Sequence, residues 1–219
     1  MSEPVRIEVT VAAPVEEVWR ALRDPAQLRR WHGWLYPDLD AEIATIYGER
    51  ARELAAQRVL KVEPADTFEL EEVAGGTLVR IVRAVPEPGS EWADYFADIT
   101  EGWISFVHQL RFMLERHPGQ DRRTLFFQVD RTEVPLEALV ATSPAAGGDL
   151  WFASANQRGV VVDDLGPGLA VVGVKPADGD AAMTIVTTYG LDDGGLADTR
   201  DAWTAWWHGH HPDAPAAVT

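Results

Sequence analysis

The chain begins with alternating apolar and polar residues, and this pattern predicts a strand followed by helices. In residues 6–11, Ile and Val alternate with Glu and Thr, which is the period of a half-buried strand. Pro14 suits the first position of a helix because it has no amide hydrogen to leave unbonded. Apolar residues recur at helical spacing over residues 15–22, and Pro25 favours a second short helix to residue 30.

Residues 41–57 carry two conflicting signals. Alanine and glutamate favour a helix in this stretch, whereas Ile43, Thr45 and Tyr47 alternate in the manner of a strand. We expect strands here because the alternating positions hold β-branched and aromatic residues.

A clearer set of strands follows. Alternation predicts strands at residues 58–62, 68–72 and 77–85, with a tight hairpin at Ala74–Gly76. In the register that faces Leu70 with Val79, Glu69 lies opposite Arg80 on the solvent side. The same register places Arg83 on the apolar face of the sheet.

The longest predicted helix covers residues 99–116. Its wide apolar face comprises Ile99, Trp103, Phe106, Val107, Leu110 and Leu114. His108 projects to the other side, and Pro118–Gly119 ends the helix.

The second half of the chain repeats this order in a shorter form. Pro135 begins a helix after a strand at residues 125–129. Further strands are expected at residues 150–153, 159–162, 169–174 and 183–189. A final helix over residues 199–208 buries tryptophans and takes Asp198 as its N-cap. We therefore expect two domains, residues 1–119 and a shortened copy at 120–219.

The amino-acid composition of the chain excludes several classes of function. The chain has 35 acidic and 19 basic side chains and a net charge of −16, so phosphate backbones and anionic lipid surfaces would repel it. It has no cysteine, which excludes disulfides, thiolate nucleophiles and cysteine-based metal sites. Its apolar runs are too short for a membrane span, and its first residues lack the pattern of a secretion signal. We expect a cytoplasmic protein that neither binds nucleic acid nor spans a membrane.

Several short motifs of the first half occur in the order and spacing of one known family. They are Ala13–Trp19, Trp31, Gly75–Thr77, Glu101–Trp103, Leu110 and Leu114. Residues 5–116 thereby resemble the START-like (SRPBCC, helix-grip) superfamily, in the branch related to the activator of Hsp90 ATPase. The resemblance implies an α+β fold in which a curved antiparallel sheet wraps around a long C-terminal helix. Residues 120–219 match the family only loosely, as a shortened tandem copy.

In many members of this superfamily, the space between sheet and helix is a cavity that accepts an apolar ligand. A curved sheet closes against one helix only if large side chains fill the gap, so bulky residues either line a pocket or plug the core. The first alternative predicts binding of a small hydrophobic or amphipathic molecule. The residues expected to line the pocket are Trp31, Trp34, Tyr36, Arg83, Tyr95, Trp103 and Val107.

Arg83 is the candidate with the most specific chemical requirement, because a buried guanidinium needs an anionic partner. A ligand carboxylate or phosphate could supply that partner. A carboxylate of Asp66, Glu72 or Asp98 could do so as well, and a long arginine stem could also carry the charge to water. The residues alone leave these alternatives open.

The sequence predicts no catalytic residue, no metal site and no cofactor. His208, His210 and His211 are close in sequence, but three histidines at a helix end rarely converge on one ion, and metal binding by them stays open. His32 and His108 are isolated, and neither has an evident orienting carboxylate.

Two further functions remain as alternatives to ligand binding. A polyketide cyclase/aromatase-like enzyme would use such a pocket with a few polar side chains, and a co-chaperone-like module would dock a basic protein on its acidic surface. A pocket without facing acid–base groups favours the binder over the enzyme. A homodimer or a protein partner is also left open.

Overall fold

The chain forms two compact units in the computed structural model, which describes residues 3–87, 89–90, 92–165, 167–176 and 181–219. The first unit comprises Met1–Gly33 and Pro37–Gly119, and the second comprises Trp34–Tyr36 and Gln120–Thr219. Each unit has one antiparallel five-stranded sheet and one long helix. The α+β class expected from the sequence is confirmed.

The first unit places its long helix at its C-terminal end. Its elements in chain order are β1 (Val5–Val11), α1 (Val15–Ala21), α2 (Pro25–Leu28), α3 (Leu39–Ile43), β2 (Ala51–Leu54), β3 (Val59–Val62), β4 (Asp66–Val73), β5 (Gly76–Arg83) and α4 (Phe96–Arg116). The sheet order is β1-β5-β4-β3-β2, and α4 packs against β1. This is the helix-grip arrangement, in which a sheet holds one long helix.

The β4–β5 hairpin has the predicted register. Leu70 pairs with Val79, and Glu69 pairs with Arg80. Gly76 closes the hairpin at a φ of +148°, and a Cβ there would lie 2.0 Å from the carbonyl oxygen of Val11. Only glycine allows this close approach of the hairpin to β1.

The expectation of strands over residues 41–57 is largely wrong. The segment begins in α3, continues as a π-helix over Ala44–Glu49, and contains only the short strand β2. A π-helix is rare and is kept by tertiary contacts more than by local preference. The ring of Tyr47 packs among the rings of Trp31, His32 and Phe68, which are distant in sequence. Local alternation could not reveal these contacts.

The second unit repeats the strand order of the first. Its elements are β6 (Arg122–Val129), α5 (Leu136–Thr142), β7 (Asp149–Ala153), β8 (Gln157–Val162), β9 (Gly168–Val174), β10 (Ala182–Tyr189) and α6 (Asp193–His210). The sheet order is β6-β10-β9-β8-β7. The expected strands are all present, although α6 begins six residues earlier than the sequence predicted. Its N-cap is Asp192, whose carboxylate accepts a bond from the Gly195 N–H at 2.8 Å, and not Asp198.

The two long helices differ in what they bury. α4 has 21 residues and buries Trp103, Val107, Leu110 and Met113. α6 has 18 residues and buries Trp203 and Trp207 with other apolar side chains of the second unit. Within the described ranges, neither these helices nor the shorter ones have the length and apolar character needed to cross a membrane.

Candidate functional site

A pocket of about 370 Å³ lies in the first unit. It is formed by the turn between β3 and β4, the segment after β5, the first turns of α4 and the π-helix. Its lining residues are Ile46, Arg50, Val62, Glu63, Pro64, Ala65, Asp66, Arg83, Ala84, Val85, Pro86, Trp92, Phe96, Ile99 and Trp103. Most of these side chains are apolar, so the pocket suits a mainly apolar molecule.

One corner of the pocket is polar. Asp66 begins β4 and Arg83 ends β5, and the two residues lie directly opposite each other on these neighbouring strands. The Arg83 Nε–H donates to Asp66 Oδ1 at 2.6 Å, and the Trp103 Nε1–H donates to Asp66 Oδ2 at 2.9 Å. Both carboxylate oxygens of Asp66 are therefore engaged by buried donors. Of the alternatives that the sequence left open for Arg83, the structure shows the internal pair with Asp66.

Arg83 also joins the sheet to the start of α4. Its Nη1 donates to the Phe96 carbonyl oxygen at 3.1 Å and to Thr100 Oγ1, and its guanidinium lies 4.6 Å from the centroid of the Phe96 ring. These bonds use Nε and Nη1. In the part of the chain that the structure describes, Nη2 has no hydrogen-bond partner. The Arg83 side chain is only 4% exposed, so Nη2 is a donor held in a largely buried pocket wall.

Of the seven expected lining residues, Arg83 and Trp103 line the pocket. Trp31 is 1% exposed, and its Nε1–H donates to the Ala21 carbonyl oxygen at 2.9 Å, so it fills the core. Val107 is also buried, one helical turn beyond Trp103. Tyr95 is 62% exposed and does not line the pocket.

Trp34 and Tyr36 do not line the pocket either, because they belong to the second unit. The Trp34 ring stacks on Phe126 with 3.7 Å between centroids and 8° between planes. The Leu35 N–H donates to Thr124 Oγ1 at 2.7 Å. This short segment is held by β6, a contact that no local pattern around Trp34 indicated.

Sequence reasoning missed most of the apolar lining. The missed residues include Ile46, Val62, Val85, Trp92, Phe96 and Ile99. These residues lie at or near the ends of helices and strands. Alternation and helical spacing predict which face of an element is buried, but they do not predict which elements pack against each other. One usable signal was the pair of prolines Pro64 and Pro86, which lie before β4 and after β5 at the same end of the sheet, where regular strand pairing stops.

His32 is not isolated, contrary to the expectation from sequence. Its ring is 1% exposed, its Nε2 lies 3.3 Å from Glu42 Oε1, and its Nδ1 lies 3.1 Å from the Tyr47 hydroxyl. Burial is the main cause that raises the pKa of Tyr47 well above its usual value, with the charges of Glu42 and Asp66 as further causes. Tyr47 therefore keeps its hydroxyl proton at neutral pH.

The histidines at the end of α6 point to separate partners. His210 Nε2 lies 2.8 Å from Thr142 Oγ1, and the His211 ring packs against Trp207 with 4.6 Å between centroids. Among the residues with described positions, no group of three or more His, Asp or Glu side chains is placed to hold a metal ion.

No family model matches the chain, and no curated protein matches its sequence. The chain is similar to several solved structures, of which three are described here. DynU16, a protein of the dynemicin biosynthetic locus, is 18% identical with a TM-score of 0.37, over 94% of this chain and 96% of its own. The di-domain ARO/CYC BexL of the BE-7585A biosynthetic pathway is 15% identical with a TM-score of 0.37, over 98% and 100%. Protein MLL2253 from Mesorhizobium loti is 19% identical with a TM-score of 0.38, over 52% and 98%. These scores are low, and the pocket is therefore interpreted from its own residues.

Proposed function

We propose that the first unit binds a small, mainly apolar molecule, and that a neutral hydrogen-bond acceptor on this molecule bonds to Arg83. The Nη2 group of Arg83 is the observation that carries the proposal. It belongs to a side chain that lines the pocket and is 4% exposed, and the described residues give it no acceptor. Nη2 is not among the fully buried polar atoms that lack a partner in the described part of the chain, so it is accessible, and a ligand acceptor can take the place of water beside it.

The Asp66 carboxylate decides which kind of acceptor fits. It neutralises the charge of Arg83 from 2.6 Å, and the other two charged lining residues, Arg50 and Glu63, have opposite signs. A ligand carboxylate would therefore lose its hydration without meeting a net positive charge. A ketone, ester or ether oxygen loses much less hydration and still accepts the Nη2–H bond. The pocket thus favours a neutral ligand over the carboxylate or phosphate that the sequence left open.

The apolar walls supply most of the affinity. Val62, Phe96, Ile99 and Trp103 surround the space beside the polar corner. A pocket of about 370 Å³ with such walls is in the size range of small-molecule sites, and apolar contact there removes ligand surface from water.

Binding is favoured over catalysis because the polar groups of the corner are committed to each other. Asp66 accepts from Arg83 and Trp103, and Thr100 donates to the Phe96 carbonyl oxygen while it accepts from Arg83. A general base needs an unoccupied lone pair directed at the substrate. The cyclase/aromatase-like enzyme and the co-chaperone-like module stay predictions of the family resemblance.

We also infer that both units are START-like copies, the second being the shortened one. The identical strand order of the two sheets supports this inference, as does the single long helix at the end of each unit. The relation to the activator of Hsp90 ATPase branch rests on the sequence motifs alone.

Binding can be tested with Prodan, a fluorescent neutral naphthalene ketone, and with three competitors that share a naphthalene ring. These are methyl naphthyl ketone, ethylnaphthalene and naphthoate. We expect the ketone to compete roughly tenfold better than the hydrocarbon, because a hydrogen bond to a charged donor adds about 1.5–3 kcal/mol. Naphthoate should compete worst. Equal or better competition by naphthoate would contradict a neutral acceptor site.

A filled pocket provides the control for location. Ile99→Trp places a large ring in the pocket and should abolish Prodan binding. Ile104→Trp makes the same change at a half-buried position of α4 outside the lining and should leave binding unchanged. If Ile99→Trp binds Prodan normally while far-UV circular dichroism shows it folded, the dye does not occupy this pocket and the proposal fails.

A further inference from the structure

The ion pair between Arg83 and Asp66 uses only one oxygen of the carboxylate. The Arg83 Nε–H donates to Asp66 Oδ1 at 2.6 Å, and no hydrogen bond from Arg83 to Oδ2 is found within the described ranges. Arginine and carboxylate groups frequently form two parallel bonds, because the planar guanidinium fork matches the spacing of the two oxygens. The N–H groups of Nε and Nη2 lie on the same side of the guanidinium and can make such a fork. The pair in this protein is thus one-sided.

Trp103 accounts for the one-sided pair, because it holds the second oxygen. Its Nε1–H donates to Asp66 Oδ2 at 2.9 Å. A carboxylate oxygen can accept more than one bond, but donors that hold the two oxygens from different sides fix the rotation of the group. In this orientation only Oδ1 is bonded to Arg83, and Nη2 is left as a donor in the pocket wall.

The indole of Trp103 is itself held in place by packing. Trp103 is 6% exposed, and its ring meets Phe68 edge-on, with 5.1 Å between the ring centroids and 83° between the planes. Phe68 lies two residues after Asp66 in β4, so the two side chains lie on the same face of the sheet. The indole contacts one of them with its ring and the other with its N–H, and these two contacts fix its orientation.

The other contacts of Arg83 keep its guanidinium from turning. Nη1 donates to the Phe96 carbonyl oxygen and to Thr100 Oγ1, and the guanidinium lies 4.6 Å from the centroid of the Phe96 ring. Because Nε and Nη1 are both bonded, the direction of Nη2 is set by the planar group. Only a rotation of the Asp66 carboxylate could bring an oxygen to Nη2, and the bond from Trp103 opposes that rotation.

We propose that Trp103 is a positioning residue, which keeps Asp66 from engaging Nη2 and so keeps Nη2 available to a neutral acceptor of the ligand. The inference rests on the proposed binding function, and it assigns the selectivity of the site to a residue beyond Arg83. Without the indole N–H, the carboxylate should turn and form the second bond to Arg83. The pocket would then lose the donor that distinguishes a ketone from a hydrocarbon.

The test compares methyl naphthyl ketone with ethylnaphthalene as competitors of Prodan. In the unchanged protein, the ketone should compete roughly tenfold better. Trp103→Phe keeps an aromatic ring but removes the N–H, and the preference should fall to about twofold or less, because only the ketone loses a hydrogen bond. Trp103→Leu also lacks the donor and should show the same fall, so the test does not depend on the folding of one variant.

Ile99→Ala provides the control for a change in the shape of the pocket. This variant enlarges the pocket without removing a bond of the polar corner. Both competitors should bind more weakly to it, but the ketone should keep a preference of roughly tenfold. An equal fall of the preference in Ile99→Ala, or an unchanged preference in the Trp103 variants, would overturn the inference.

A crystal structure of Trp103→Phe or Trp103→Leu separates this inference from the proposed function. In the variant, we expect Asp66 Oδ2 to lie about 2.9 Å from Arg83 Nη2, as in a bidentate pair. If Prodan fails to bind to the unchanged protein, the proposed function is wrong, while the structure of the variant still tests the positioning by Trp103. A carboxylate that keeps its orientation without the indole N–H would contradict that positioning.

Discussion

The two units have the same strand order, but an arginine joins the start of the long helix to the sheet in a different setting in each. In the first unit, Arg83 is 4% exposed in its side chain, pairs with Asp66 and bonds to the first turn of α4. In the second unit, Arg123 pairs with Asp193 at the start of α6, and these side chains are 43% and 93% exposed. An arginine therefore bonds to the start of the long helix in both units, but in the first it lies on β5 within a buried ion pair between two strands, and in the second it lies on β6 in a surface ion pair with the helix itself.

The two long helices also differ in where their tryptophan side chains lie. In the second unit, α6 inserts Trp203 and Trp207 into the apolar core, and the Trp207 ring lies 5.7 Å from Phe127. In the first unit, α4 uses its tryptophan Trp103 to bond Asp66 at the edge of the pocket. The two long helices therefore use their tryptophans differently, although the strand order of the two sheets is the same.

The largest effect should come from breaking the buried pair. Arg83→Met leaves the Asp66 carboxylate buried without its cation, so we expect a loss of about 3–5 kcal/mol in the free energy of unfolding. Arg123→Met makes the same change at the surface pair of the second unit and should cost at most about 1 kcal/mol. Urea unfolding followed by circular dichroism measures both values.

A double variant distinguishes the loss of charge pairing from a loss of packing. Asp66→Asn combined with Arg83→Met removes both charges, and it should recover a large part of the stability lost in Arg83→Met. Equal losses at Arg83 and Arg123 would show that burial does not distinguish the two ion pairs. No recovery in the double variant would show that Arg83 stabilises the fold through packing and not through its charge.

A second, smaller effect concerns His108, a half-buried histidine of α4. Burial is the main cause that lowers the pKa of His108 from 6.5 to about 4, with the charge of Arg111 as a further cause. Between these values the unfolded chain binds a proton that the folded chain does not. The stability that depends on neutral His108 is therefore complete above pH 6.5 and falls by up to about 3 kcal/mol as the pH drops toward 4.

His108→Gln isolates this contribution from the acid titration of other groups. The difference in unfolding free energy between the unchanged protein and His108→Gln should shift by about 3 kcal/mol between pH 7 and pH 4, in favour of the variant at low pH. A difference that stays constant over this range would mean that the imidazole is accessible to protons in the folded state.

Much of the fold could be predicted from the sequence because the sheets are built from regular alternation. The Leu70–Val79 register and the placement of Arg83 on the inner face followed from which residues of the β4–β5 hairpin are apolar. The π-helix could not be predicted, because Tyr47 is held by His32 and Phe68, and these contacts form only after the chain has folded.

The candidate site was harder to predict than the fold. Aromatic character identified Trp103 as a pocket residue, but the same character also selected Trp31, which fills the core, and Trp34, which stacks on Phe126 in the second unit. A tryptophan in any of these settings has the same local sequence signal. The three tryptophans differ in which helices and strands pack against them. A window of neighbouring residues does not contain that information.

The smallest effect tests the start of α6, which the sequence predicted six residues too late. The sequence predicts that this helix begins at residue 199 with Asp198 as its N-cap, and so leaves Gly194 and Gly195 outside it. In the structure, Asp192 accepts the Gly195 N–H bond at 2.8 Å, and this cap lets the glycines take part in the helix. α4 differs because Tyr95 precedes it without a side-chain cap, and Arg83 holds its first turn.

We therefore expect Asp192→Ala to cost about 1 kcal/mol in the free energy of unfolding, whereas Asp198→Ala, inside the helix, should change it by less than about 0.5 kcal/mol. Hydrogen exchange should show faster amide exchange in the first turn of α6 for Asp192→Ala alone. A larger loss in Asp198→Ala would instead support the shorter helix. That result would also remove the contrast between a long helix started by its own cap and one started by a buried arginine.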